Sequence, residues 1–138
     1  MEKLAEYVEE QIKIIVKDPK KVEGRFFSKS YYTFVISCPI IQLEERRTQD
    51  DIEWFRNKLI ENYYFNFIPP LTSVNYYKDP DNIQNTLKDI QNFFNEVCRK
   101  KILRTSELLY YFISLDEKSF ATYKDKVNKT PVKPFQSY

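Results

Sequence analysis

The hydrophobic period of this chain changes at Thr48. Before it, apolar and β-branched residues come in short runs with strand character: QIKIIVK (Gln11 to Lys17), SYYTFVIS (Ser30 to Ser37), and IIQLEER, which alternates at Ile41, Leu43 and Glu45. After it the spacing is helical. Ile52, Phe55 and Leu59 recur on one face, and Ile83, Leu87, Ile90, Phe94 and Val97 form a second stripe. Strands first and helices afterwards predict an α+β fold, a three-stranded antiparallel meander covered by three to four helices. The expected strands lie near 11–17, 31–37 and 41–47, and the first two long helices near 49–63 and 82–100.

Punctuation along the chain supports this division. Asp18-Pro19 is expected to stop the first strand, and the basic stretch from Lys20 to Lys29 to form a loop. Thr48 is placed to cap the first long helix, with Asp51 completing an acidic capping box. Pro69-Pro70 forces an extended turn. Thr105 is read as the cap of SELLYYFIS, and Asp116 as the cap of a last helix with Leu115 and Phe120 at staple positions. The first ten residues, with Leu4, Tyr7 and Val8 on one face, suit a short helical extension. Residues 11–127 form the domain, and 128–138 read as a loose tail or linker.

Composition removes several classes of function. The chain has 138 residues, 22 basic against 20 acidic, so no global field points to nucleic acid. It has no histidine, and its only glycine is Gly24, so no glycine-rich phosphate loop exists. Cys38 and Cys98 fit no metal-ligand spacing and read as buried free thiols. No cofactor, metal site or enzymatic constellation is expected. The acidic start MEKLAEYVEE fits neither a signal nor a transit peptide, so a cytoplasmic protein is expected.

Local features remain. Arg46 and Arg47 sit where the third strand ends, suiting either an anion site or surface ion pairs with Glu44, Glu45, Asp50 or Asp51. As neighbours on a strand they point to opposite faces. Val74, Tyr76 and Tyr77 beside Lys78 suit insertion at the headgroup level of a membrane. Lys20 and Lys21, with Phe26 and Phe27 close by, offer a second membrane contact through anionic lipid. For both, packing against the domain is the plainer alternative.

The order of motifs resembles the PX (Phox homology) domain of sorting nexins, from about Ile12 to Lys126. VKDPKK before a YxxFxI-like strand, DDIEWFRNKL after the third strand, IPPL, and QNFFNEVCRKKILRTSELLYYFIS each look like a segment of that family in its order. The resemblance implies a module peripheral on endosomal membranes that binds a phosphoinositide headgroup, most often phosphatidylinositol 3-phosphate. It also implies a pocket of an arginine, an aromatic, a lysine and a second arginine. Carried over residue by residue, those positions fall on Thr48, Gln49, Val74 and Thr86, and none carries the expected side chain. A one-residue bulge would instead bring Arg47 to the phosphate. The expectation is therefore a sorting-nexin-like module with weakened or absent lipid binding and a protein-interaction role. The partner would be another protein or another sorting nexin. A working lipid site using Arg46, Arg47 and Lys78, and a structural subunit of a larger assembly, are the alternatives.

Overall fold

The computed structural model describes residues 12–24, 29–71 and 83–130. Three strands form one antiparallel sheet in the order β1 (Ile15–Val22), β2 (Tyr31–Cys38) and β3 (Leu43–Thr48). Among the described residues five helices follow: α1 (Gln49–Asn62), α2 (Ile83–Arg99), the short α3 (Lys101–Arg104), α4 (Glu107–Ser114) and α5 (Glu117–Lys129). The α+β arrangement is the one expected.

Strand β1 differs from its expected span. It starts at Ile15 and runs through Asp18-Pro19 to Val22. Its register against β2 shifts between Lys17 and Lys20. Asp18 takes up the extra length with a left-handed φ of 51°, a region Asp tolerates better than most residues. A proline is accepted at a bulge on an edge strand, where no ladder bond needs its N–H. Lys20 and Lys21 therefore belong to the sheet, opposite Thr33 and Tyr32, and not to a loop. Strand β3 also begins later than expected, because Pro39–Ile41 form a 3-10 turn that closes at Gln42 with φ 56°.

The helices follow their signals closely. Thr48 caps α1: its Oγ1 accepts from the Asp51 N–H at 3.0 Å, and its own N–H donates to Asp51 Oδ2 at 3.1 Å. Ser106, not Thr105, caps α4, its hydroxyl accepting from the Leu109 N–H at 3.2 Å. Asp116 caps α5, which carries on through Asn128 and Lys129, residues expected to belong to the tail. The residues expected as an N-terminal helix lie outside those described, as do 131–138.

The core lies between one face of the sheet and the helices. Phe34 and Ile36 from β2 meet Phe55 of α1, Ile90, Phe94 and Val97 of α2, and Leu109 and Phe112 of α4, all 0–1% exposed. The Phe55 ring stacks on Phe112 at 4.6 Å and on Phe94 at 5.7 Å, and Phe93 meets it edge-on. Such buried rings are the largest single contributors to a core of this size. Cys38 is buried and Cys98 half-buried, and both are free thiols.

Candidate functional site

The junction of β3 and α1 is where an anion site would be sought, since strand ladder and helix N-terminus meet there. Thr48 pairs with Thr33 of β2, which pairs with Lys20 of β1, so these residues form one row across the sheet. The Thr48 side chain is committed to the capping box. Gln49 is 4% exposed, and its Oε1 accepts from the Tyr32 N–H at 3.1 Å. Its Nε2 has no hydrogen-bond partner among the described residues. Thr86, on the first half of α2, is 1% exposed. Three of the four positions that the resemblance assigns to the headgroup thus carry buried or capped neutral side chains. The fourth, Val74, lies outside the described residues, together with Tyr76, Tyr77 and Lys78.

Arg47 points into the domain. It pairs with Phe34 across the ladder and is 2% exposed. Its Nε donates to the Phe112 carbonyl at 2.9 Å, Nη2 donates to the Leu115 carbonyl, and Nη1 reaches the Arg46 carbonyl at 3.2 Å. The guanidinium lies 4.1 Å from the centroid of the Phe120 ring and 5.6 Å from that of Phe112. Burial pulls its pKa below the ordinary guanidinium value, while Glu45, Asp51, Asp116 and Glu117 act in the opposite direction. The planar fork is thus filled by the carbonyls at the end of α4.

Arg46 points to the other face, as strand alternation requires. Its Nη1 donates to the Asp18 carbonyl at 2.9 Å and to Thr33 Oγ1 at 3.0 Å, and Nη2 pairs with the Asp18 carboxylate. It clips the bulge of β1 across the sheet. Neither arginine makes the ion pairs with Glu44, Glu45, Asp50 or Asp51 that surface placement would give. Glu44 pairs instead with Lys17 at 3.3 Å, and Asp51 with Lys124 at 2.6 Å. Lys20 and Lys21 are exposed beside the row through Thr33 and Thr48, Lys21 lying 3.7 Å from Glu23.

The service of Arg47 to a helix end is a role that sequence reading missed. Its signal was present: the alternation Ile41, Leu43, Glu45 continues to residue 47 and puts that arginine on the core face. Arg56 was also missed; its Nε donates to the Pro69 carbonyl at 2.8 Å and ties α1 to the proline-rich turn. Among the described residues no helix is long and apolar enough to cross a membrane.

Comparison with known proteins agrees with this architecture. The PX domain family model matches residues 43–116, the stretch from the start of β3 to the cap of α5. The chain is also 30% identical over 120 residues to sorting nexin lst-4 of Caenorhabditis elegans. That alignment takes in 83% of this chain and 21% of the relative, so the chain spans about a fifth of the curated protein it matches. With its three-stranded meander, its capped helix after β3 and its proline-rich turn, the chain belongs to the PX domain family, a class of membrane-trafficking modules.

Proposed function

We propose that this chain is a PX-type module of endosomal membrane traffic, with weak phosphatidylinositol 3-phosphate binding, in which protein contact carries part of the recruitment. It acts by binding and not by catalysis. The observation that carries the reading is the enclosure of Arg47, the one arginine that a shifted register would bring to the 3-phosphate. To serve a headgroup it would have to abandon buried carbonyls. Thr48, Gln49 and Thr86 offer no charge in its place. Each charge-assisted bond is worth roughly 1.5–3 kcal/mol. Losing two or three weakens binding by about 100-fold or more. What remains for the membrane is the cationic edge of Lys20 and Lys21, which attracts anionic lipid without reading one headgroup. The membrane-contact role of Val74, Tyr76, Tyr77 and Lys78 belongs to the same reading.

Exposed aromatics favour the interaction half of the proposal. Tyr64 and Phe67 are 51% and 67% exposed, aromatic surface that suits a partner. The deciding experiment is co-sedimentation with vesicles containing phosphatidylinositol 3-phosphate, beside a PX domain that retains all four headgroup side chains. Binding about 100-fold weaker is expected. Equal affinity would refute the weakened-site reading.

A further inference from the structure

An irregularity in β1 decides which of its residues stands in line with Thr48. As far as Lys17 the strand pairs with β2 in regular register, Ile15 opposite Ser37 and Lys17 opposite Val35. Continued without a break, that register would put Pro19 opposite Thr33 and Lys20 opposite Tyr32. The observed pairs are Lys20 with Thr33 and Lys21 with Tyr32. One extra residue between Lys17 and Lys20 makes the difference, and Asp18 accommodates it with its φ of 51°. The bulge therefore sets Lys20, instead of Pro19, in the row that runs through Thr33 to Thr48.

The slip also selects the face. Val35 lies between Lys17 and Arg46, so the row through Thr33, two residues back on β2, shares the face of Arg46, away from the core. Arg46 holds the bulge from that face. Its Nη1 donates to the Asp18 carbonyl at 2.9 Å and to Thr33 Oγ1 at 3.0 Å, and its Nη2 pairs with the Asp18 carboxylate. The Thr33 hydroxyl in turn donates to the Lys20 carbonyl at 3.4 Å. Arg46 is thus joined to both sides of the bulge, to Asp18 directly and to Lys20 through Thr33. A left-handed residue other than glycine persists where its surroundings hold it, and these bonds do so. The Arg46 charge is matched by the Asp18 carboxylate, whereas Lys20 is exposed. Lys21 belongs to the opposite face and has Glu23 at 3.7 Å.

We infer that Arg46 is a positioning residue of the lipid contact: it fixes the bulge that aims Lys20, the principal cation, at an anionic bilayer surface beside Thr48. The inference rests on the cationic edge proposed above and names what aims it. Bulges re-aim side chains in this way beside binding sites. Arg46 itself does not bind the lipid, since its guanidinium is engaged by Asp18 and Thr33.

The test is co-sedimentation of the whole chain, at low salt, with phosphatidylcholine vesicles rich in phosphatidylserine. Lys20→Gln should bind about fivefold weaker, the share of one lysine near an anionic surface. Arg46→Lys keeps the charge and Asp18→Ala removes a negative one, yet both should weaken binding by about two- to fivefold, because the bulge loses its clasp. Thr33→Val changes neither shape nor charge and should act in the same direction; it decides alone if the other two variants fail to fold. Direct attraction between Arg46 and lipid would give the reverse pattern, Arg46→Lys unchanged and Asp18→Ala tighter, and that pattern would overturn the inference. In a Lys20→Gln background, Asp18→Ala should weaken binding no further. An equal further loss would mean general damage to the sheet and would also overturn it. Backbone NOEs between Lys20 and Thr33 should be lost in Asp18→Ala while those between Ile15 and Ser37 remain; their persistence would count against the inference. Lys20→Gln without effect would refute the cationic-edge reading and this inference with it. A weaker Lys20→Gln beside unchanged Arg46→Lys, Asp18→Ala and Thr33→Val would refute this inference alone.

Discussion

Helix α4 ends with carbonyls that have no partner in the next turn, and the Arg47 guanidinium meets two of them, those of Phe112 and Leu115. The negative end of the helix dipole favours a cation there. The ring of Phe120 covers the guanidinium and keeps water out. Arg47→Ala would leave both carbonyls without their donor and open a void beside the rings. At about 1–3 kcal/mol for each buried acceptor, a loss of roughly 2–5 kcal/mol is expected by urea denaturation. A loss below about 0.5 kcal/mol, the size of an ordinary surface substitution, would show that Arg47 is not part of the core. Arg47→Lys should recover only part of the loss, because a lysine cannot serve several carbonyls with a fixed fork. The thiols make a second prediction at this scale. Burial pushes Cys98 up to about 12 and raises Cys38 as well. Both stay protonated at pH 8, where the thiolate is the reactive form. Ellman's reagent should therefore find no fast thiol in the native chain and two after unfolding; a fast native reaction would mean that the β1–α2 contact opens readily.

At the scale of elements, capping residues and hydrophobic period made the helices legible, while strand ends were harder. Thr48, Asp116 and the stripe from Ile90 to Val97 each act through near neighbours, so their pattern survives in one dimension. The end of β1 does not, since continuation through Pro19 depends on Arg46, 28 positions on, gripping Asp18. The same distance effect hid the fate of the candidate site. Strand alternation put Arg47 on the core face and Arg46 on the other, but that the end of α4 meets Arg47 there depends on contacts 65 and 68 positions on. Helix α5 is a further long-range case. Trp54 donates Nε1–H to Asn128 Oδ1 at 2.9 Å and packs edge-on against Phe120 and Tyr123 at 5.6 and 6.3 Å. Lys124 reaches Asp51 at 2.6 Å, beside the cap of α1. Trp54 is the sole tryptophan, so it reports on this docking directly. Phe120→Ala should shift its emission to the red and cost about 3–5 kcal/mol. An unchanged spectrum would mean that α5 does not rest on α1 in solution.

Across the whole molecule, the two ends of the sheet differ in what they expose. Near Thr48 the exposed cations are lysines on strand β1, and the neutral side chains at the headgroup positions are capped or buried. At the other end, Ile15 and Ile40 are exposed. These arrangements respond differently to salt. Lysines held against a charged membrane act through a field that is screened over about 8 Å at physiological ionic strength. Apolar contacts lose little when salt rises, because their gain comes from leaving water. Residual vesicle binding should therefore follow total anionic lipid and fall steeply between low and high salt. It should drop further in a Lys20→Glu, Lys21→Glu variant, with each lysine contributing about 1 kcal/mol near the surface. Co-sedimentation at two salt concentrations separates the outcomes. Vesicle binding that resists salt and prefers one phosphoinositide would mean that the β3–α1 junction still reads a headgroup, and that Gln49 or a neighbour does the work of the missing cations.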